Sequence, residues 1–389
     1  PQACSAPIQA LESASACCGN MNEVNARARD SLVEGPAPAA SAKGTGSNLQ
    51  TATGKPLGLD PVVLALMQNR LDQITRHMGW VMTRTARSTI FSQSHDFSCF
   101  ITTPDGTLVA NADGIPIHTG GGGFAVRALI RRFGDRLNPG DVFVLSDPYV
   151  AGGNHLPDWV ISRPIWVTGE DDRPVFAGFC CNRAHQSDIG GGLAGSYNPE
   201  ATEIWHEGLR LPPLRFVERG KTREDLWQLL ILNSRMPHFM DGDLRAMTGS
   251  TDIGRQLVVE TMEHFGLEEG RTCFDGVLDH GDSLLREAIE QLPDGVYEGE
   301  SGLDDDCFED MELKIYVKVT IAGDETVIDF TGTDDQIRGF KNSSVANTYS
   351  SVFSALSTFF APFSAFFTKF DNRPSPDIIP SPIDLRFLP

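Results

Sequence analysis

The order of helical and strand-like segments constrains the fold of this chain more than any other feature. Three strand-like runs stand close together in the middle of the chain: DVFVLSD, DWVISRPIWV and PVFAGFCC. Residues 222–268 have helical character, and a further short helix, GDSLLREAIEQL, precedes two alternating strands, MELKIYVKVTIAG and ETVIDFTGT. Because strands and helices are clustered rather than alternating, we predict an α+β fold with mixed β-sheets and clustered helices, not a doubly wound sheet.

The first ordered element is predicted to be a helix that begins near Leu59. Asp60 and Pro61 suit an N-cap and a first turn. Six apolar residues then follow at helical spacing: Val63, Met67, Leu71, Ile74, Met78 and Met82. The next segment, DFSCFITTPDGTLVAN, alternates around a Pro-Asp-Gly turn and indicates a hairpin. HTGGGGFAVRALIRRFGDRL is typical of a glycine loop that opens an amphipathic helix.

The two ends of the chain differ from this pattern. Residues 1–58 are rich in Ala, Ser, Gly, Asn and Pro without a sustained apolar period, which predicts a low-complexity N-terminal extension. Residues 59–389 are predicted to form one domain. Its last segment, NRPSPDIIPSPIDLRFLP, is proline-dense and has no clear closing element, so we expect this domain to be incomplete at its C-terminal end.

Charge and cysteine content exclude several classes of function. The formal net charge of −20 argues against nucleic acid or an anionic membrane surface as a partner, because both attract lysine and arginine. No apolar run is long enough for a membrane span, and no signal peptide is recognised. The eight cysteines are too few and too scattered for a disulfide scaffold, which predicts reduced thiols in the cytoplasm.

Two polar clusters predict a candidate metal site. GGNHLPDW contains His155 and Asp158, and NRAHQSDIGGG repeats the same spacing with His185 and Asp188. Each cluster lies at a predicted strand end, so together they can supply imidazole nitrogens and carboxylate oxygens to one ion. Two histidines and a carboxylate leave coordination positions open for water or substrate, as catalytic sites require. The alternative is a pair of turns with side-chain hydrogen bonds.

Other residues are candidates for the same region. His118, Asp96 and Glu203 can join the polar set, although a lone His118 is by default a buried, hydrogen-bonded histidine. Gly120, Gly121, Gly122 and Gly123 precede a predicted helix, whose exposed N–H groups can bind a phosphate or carboxylate; the alternative is close backbone packing. GGGLAG at 190–195 matches a dinucleotide fingerprint only literally, because no helical pattern follows it.

These residues resemble the hydantoinase B/oxoprolinase family. The similar stretches include DFSCFITTPDGTLVA, PGDVFVLSDPYVAGGNHLPDWVISRPIW, NRAHQSDIGG, TEIWHEGLRLPPLR and IDFTGTDDQIRGFKN, in collinear order over roughly residues 59–350. The resemblance implies a hydantoinase B-like catalytic domain at 59–389. It also implies a divalent metal held by His155, Asp158 and His185, with Asp96 and Asp188 as further ligands or as residues that orient the ligands.

The resemblance also implies an assembly and a reaction. An ATPase partner of the hydantoinase A type, with or without small subunits, phosphorylates the substrate, and this chain completes the reaction at its metal. Mixed nitrogen and oxygen ligands suit Zn, Mn or Fe. The chain departs from the family pattern at Asn154, where Thr is usual, at His95, where Arg is common, and in the glycine-rich HTGGGG.

Three functions are therefore open at the level of sequence. These departures and the long extension favour a ketone carboxylase of the acetone or acetophenone type, in which an enol phosphate reacts with carbon dioxide. Hydrolysis of a cyclic amide, as in hydantoinases and oxoprolinases, is the alternative reaction. A non-catalytic assembly subunit is the alternative of another class, and it predicts that candidate ligands are missing.

Overall fold

The computed structural model describes residues 60–360 except 113, 170 and 196, together with the backbone of residues 383–386. The described helices are α1 (Pro61–Thr85), α2 (Thr89–Ser92), α3 (Pro116–Thr119), α4 (Gly122–Phe133), α5 (Ile204–Glu207), α6 (Glu224–Leu232), α7 (Pro237–Phe265), α8 (Leu267–Glu290) and α9 (Val345–Phe360). The extension predicted over residues 1–58 and most of the proline-dense end lie outside the described residues.

Antiparallel pairing dominates the larger of two sheets. Seven strands are arranged in the order β2-β1-β5-β4-β3-β6-β7. Their bounds are β1 (Phe97–Thr102), β2 (Leu108–Asn111), β3 (Val142–Leu145), β4 (Asp158–Thr168), β5 (Pro174–His185), β6 (Leu214–Glu218) and β7 (Lys221–Thr222). The predicted hairpin is confirmed as β1 and β2, and the three predicted central strands are β3, β4 and β5.

A second sheet has the order β11-β10-β9-β8. Its strands are β8 (Gly295–Asp305), β9 (Asp310–Ala322), β10 (Glu325–Asp329) and β11 (Ile383–Arg386). β11 pairs parallel with β10, whereas the other pairs are antiparallel. The two sheets and their clustered helices confirm the α+β prediction.

Both faces of the seven-stranded sheet are covered by helices. On one face, Cys180 belongs to a core shared with α1 and α7, to which all the predicted apolar positions of α1 contribute except the half-buried Val63. On the other face, Cys181 packs with α4 through Val126 and Leu129. Adjacent residues of a strand point to opposite faces, so Cys180 and Cys181 belong to two different hydrophobic cores.

The helix predicted from GDSLLREAIEQL is longer than expected. α8 begins at Leu267, directly after Gly266, whose φ of +92° separates it from α7. Glycines inside the segment obscure its apolar period in the sequence. Gly270 is one of them, and a Cβ there would lie 3.2 Å from the Met262 side chain of α7, so close helix packing explains the small residue.

α9 is buried at Ala346, Ser350 and Phe360, and its other residues are half-buried or exposed. Among the described residues, no helix combines the length and apolar character that a membrane span needs.

Buried thiols of the sheet are predicted to be unreactive. Burial raises the pKa of Cys99 and of Cys181 to about 12, although their hydrogen bonds with Ser250 and Ser162 oppose this. Because the thiolate is the reactive form, we expect iodoacetamide at pH 8 to alkylate the half-buried Cys307 in the folded protein but neither of these two. Peptide mass spectrometry after brief labelling measures this, and a denatured sample is the control. Rapid native labelling of Cys99 would contradict the burial.

Candidate metal centre

Neighbouring strands bring three of the predicted residues to one edge of the seven-stranded sheet. β4 begins at Asp158 and β5 ends at His185, and the antiparallel register places these two residues opposite each other. β1 begins one residue after Asp96, whose backbone carbonyl accepts a hydrogen bond of 3.1 Å from the His185 N–H. His118 reaches the same edge from α3, which follows β2.

A tight turn before β4 places His155. Asp147 Oδ1 accepts two backbone N–H groups of this turn, at 2.8 and 2.9 Å, and its other oxygen is ion-paired with Arg210. A Cβ on Gly153 would lie 1.7 Å from the carbonyl oxygen of Ser146, so only glycine permits this approach. Asp147 therefore shapes the turn and does not join the cluster.

The buried carboxylate of Asp158 lies at the centre of the cluster. Its Oδ1 is 2.8 Å from His155 Nε2 and 3.3 Å from His185 Nδ1, and its Oδ2 is 3.2 Å from His118 Nε2. Burial raises the pKa of Asp158, but the charges and hydrogen bonds of His155 and His118 outweigh it and hold the pKa well below its usual range. Burial lowers the pKa of His155, and the Asp158 carboxylate more than reverses this, so the net pKa is raised.

This set of donors fits a divalent metal ion. Donor atoms of His155, Asp158 and His185 all lie within 4.8 Å of one another. Ligands about 2.1 Å from a metal in tetrahedral or octahedral arrangement are about 3.0–3.4 Å apart, close to the observed 2.8 and 3.3 Å. Two imidazoles and one carboxylate also leave positions open for water or substrate.

The buried side chain of Arg183 forms hydrogen bonds with groups next to the cluster. Arg183 Nη1 donates to Asn154 Oδ1 at 2.7 Å and to the His118 carbonyl at 3.0 Å, and Nη2 donates to the Gly121 carbonyl at 3.3 Å. Asn154 Nδ2 in turn lies 3.5 Å from Asp158 Oδ2. Burial lowers the pKa of Arg183 to about 10 despite nearby Asp158, so the guanidinium is charged at neutral pH. Arg183 thus joins the turn, α3 and the glycine run.

The other predicted carboxylates lie at different distances from the centre. Asp96 is next to it, because its Oδ1 lies 3.5 Å from His118 Nε2. A role for Asp96 as a ligand stays a prediction. Glu203 lines the neighbouring cavity.

The structure does not bring Asp188 to the cluster. Its Oδ1 accepts the Arg235 N–H at 2.8 Å and the Gly190 N–H at 3.2 Å, and its Oδ2 accepts Arg235 Nη1 at 3.1 Å and the Gly195 N–H at 3.2 Å. Both oxygens are therefore engaged in a loop that follows β5. We exclude Asp188 from the ligand set, since the repeated His-x2-Asp spacing does not have the same geometry in both clusters.

Close packing accounts for the first two glycines of the run Gly120–Gly123. A Cβ on Gly120 would lie 2.8 Å from the Ser350 Cα of α9, and one on Gly121 would lie 2.9 Å from Asn154 Oδ1. These contacts agree with the alternative given for the glycines, which is close backbone packing. Anion binding by this run stays a prediction and is not included in the site.

A cavity of about 1120 Å³ opens over the cluster. The second sheet and the segment 333–348 contribute to its lining along with the cluster itself. Two of its residues, Glu207 and Tyr197, were not predicted from the sequence. Glu207 has a pKa raised by burial, which the charge of His155 opposes. Tyr197 has its ring against the imidazoles of His155 and His185.

Comparison with known proteins identifies similar chains. The sequence profile described as hydantoinase B/oxoprolinase matches residues 60–366. Subunit beta of a caprolactamase from Pseudomonas jessenii is 33% identical over 295 residues, which are 76% of this chain and 50% of that subunit. 5-Oxoprolinase 1 from Arabidopsis thaliana is 31% identical over 315 residues, covering 75% of this chain and 24% of that protein. The chain thus spans half or less of the length of these relatives.

Solved structures show the same fold. The crystal structure of the ATP-dependent caprolactamase from Pseudomonas jessenii superposes with a TM-score of 0.74 at 28% identity, covering 85% of this chain and 55% of that one. A nucleotide-free acetone carboxylase superposes with a TM-score of 0.70 at 17% identity, covering 82% of this chain and 46% of that one. At that identity the second match shows the fold alone.

Proposed function

Since this chain belongs to the hydantoinase B/oxoprolinase family, we propose that it is the metal-bearing subunit of an ATP-dependent enzyme that opens a cyclic amide. One observation carries the proposal: two imidazoles and a buried carboxylate converge at the wall of a large cavity. The relatives named above, a caprolactamase and a 5-oxoprolinase, support an amide as the substrate.

His155, Asp158 and His185 would hold the ion, which is Zn, Mn or Fe on the basis of mixed nitrogen and oxygen ligands. A divalent ion in this place polarises a carbonyl oxygen or lowers the pKa of a bound water. His118 and Asn154 lie against Asp158 Oδ2, which leaves Oδ1 directed at the other two imidazoles. They fix the carboxylate and the ligand geometry before any ion binds.

Glu207 is the proposed proton carrier of the site. Its carboxyl group lines the same cavity, and burial raises its pKa while the charge of His155 lowers it. A carboxyl group with a raised pKa takes a proton from an attacking water and returns it to a leaving nitrogen more readily than an ordinary glutamate.

The charge of the cavity favours an uncharged substrate. Its lining includes six acidic residues, Asp96, Asp158, Glu203, Glu207, Asp334 and Asp335, but only three lysines or arginines, Arg131, Lys314 and Lys341. Lys341 is ion-paired with Asp305. We therefore propose a neutral lactam rather than a ring that carries a carboxylate.

An ATP-hydrolysing partner of the hydantoinase A type, with or without small subunits, belongs to the proposal. The matched caprolactamase chain is described as subunit beta, and the solved caprolactamase as ATP-dependent. The ketone carboxylase favoured by the sequence departures has weaker support, because the acetone carboxylase match extends only to the fold.

One experiment separates these functions. The complex of this chain with its ATPase partner is incubated with ATP and either caprolactam or acetone plus labelled bicarbonate. We expect ATP-dependent appearance of the open-chain amino acid and no label in a 3-oxo acid. Label in a 3-oxo acid without ring opening would establish carboxylation instead. A purified chain without bound metal and without either product would indicate an assembly subunit.

A further inference from the structure

An aromatic ring covers the two imidazoles on the side of the cavity. The ring of Tyr197 stacks on His185, with centroids 5.6 Å apart and planes at 19°, and lies 5.9 Å from the ring of His155. Phe340, which also lines the cavity, meets Tyr197 edge-on, with ring centroids 6.4 Å apart. Tyr197 is 55% exposed and lines the cavity, so its ring is accessible to a molecule bound there.

We infer that Tyr197 is a specificity-determining residue, whose ring packs against the ring of the substrate beside the metal ligands. This role rests on the proposed opening of a cyclic amide. Aromatic faces bind flat or aliphatic rings through dispersion and the exclusion of water. Together with Phe340, Tyr197 supplies the aromatic part of the cavity lining that lies directly beside the two imidazoles. Such a lining selects a compact apolar ring.

A clamp around Asp188 fixes the loop that carries Tyr197. Arg235 donates to the carbonyls of Gly190 (3.1 Å), Gly191 (2.7 Å) and Leu193 (3.3 Å) as well as to Asp188. The Arg235 guanidinium therefore binds three backbone carbonyls of the loop and the Asp188 carboxylate, which itself accepts two N–H groups of the same loop. Asp188 and Arg235 act as positioning residues for Tyr197.

The glycines of this loop are required by its shape. Gly190 and Gly191 have φ of +85° and +77°, and a Cβ on Gly191 would lie 2.6 Å from the His206 carbonyl oxygen. The GGGLAG segment, which matched a nucleotide fingerprint literally, thus serves to place an aromatic ring two residues after its last glycine.

The test measures binding and turnover of caprolactam by the complete complex with three variants. For Tyr197→Ala we expect the Kd and KM for caprolactam to rise about tenfold, with kcat and metal content retained. Tyr197→Phe restores most of the lost affinity, since the ring and not the hydroxyl makes the contact. Arg235→Ala reproduces the pattern of Tyr197→Ala through loss of the clamp. Arg245→Ala is the matched control, because Arg245 lies on the outer face of α7 and pairs only with Asp241 among the described ion pairs.

Several results would overturn the role of Tyr197. These are unchanged caprolactam affinity in Tyr197→Ala, equal loss in Tyr197→Phe, or loss of metal from Tyr197→Ala. A wild-type complex that binds caprolactam but never opens it would contradict the proposed function. The role of Tyr197 would then be decided by the Kd for caprolactam of Tyr197→Ala and Tyr197→Phe. A wild-type complex that binds no caprolactam would contradict both.

Discussion

Asp158→Asn is expected to abolish metal binding and turnover while the chain stays folded. Asparagine has the same shape as aspartate but removes the negative charge on which His155, His185 and His118 converge. Even changes to residues that merely support a ligand weaken metal binding by about 10–100-fold, so loss of a ligand charge is expected to exceed about a hundredfold. Metal analysis, turnover of the complex and circular dichroism measure the three effects separately.

Asp141→Asn is the matched control for this variant. Asp141 is a fully buried carboxylate before β3, ion-paired with Arg215 at 3.2 Å and outside the cluster. It therefore reports the effect of removing a buried charge without touching a proposed ligand. We expect the metal content to be near wild type in Asp141→Asn and near zero in Asp158→Asn. Full metal content in Asp158→Asn would show that the ion binds elsewhere.

Arg183→Met is expected to lower the free energy of unfolding by about 3–5 kcal/mol, the usual effect of removing one partner from a buried charged network. Methionine nearly fills the volume but leaves Asn154 Oδ1 and the carbonyls of His118 and Gly121 without their buried donor. Arg183→Lys keeps the charge but not the planar fork of donors, so an intermediate loss is expected. Urea unfolding followed by circular dichroism gives the comparison.

Arg245→Met provides the surface reference. Arg245 is ion-paired with Asp241 at 2.9 Å on the exposed side of α7, and such pairs contribute about 0–1 kcal/mol. If Arg183→Met proved no more destabilising than Arg245→Met, the network around Arg183 would not support the cluster as argued.

Much of the fold was predictable because it depends on local pattern. The apolar period of α1, the Pro-Asp-Gly hairpin and the alternation of β9 and β10 each predict an element directly. α8 was predicted too short because glycines interrupt its apolar period, and the packing against Met262 of α7 shows why one of them, Gly270, is small.

The candidate site was predictable in its residues but not in its geometry. His155, Asp158 and His185 flank strand ends, and the pairing of β4 with β5 brings the last two together. Asp188 has the same spacing from a histidine, yet its loop turns towards Arg235, a contact 47 residues away in sequence. Arg183, Glu207 and Tyr197 were not predicted, although for Arg183 a charged side chain inside the apolar strand FCCNRAH already indicates a buried partner.

Metal dependence of lactam opening tests the central claim most directly. The complex is stripped with a chelator and titrated with Mn²⁺, Zn²⁺ or Fe²⁺ while bound metal and ATP-dependent ring opening of caprolactam are measured together. Activity is predicted to rise in proportion to metal bound, to reach its limit at about one ion per chain, and to be absent at every metal concentration in His155→Ala. Full ring opening by the stripped complex, or by His155→Ala, would contradict a metal centre at this site.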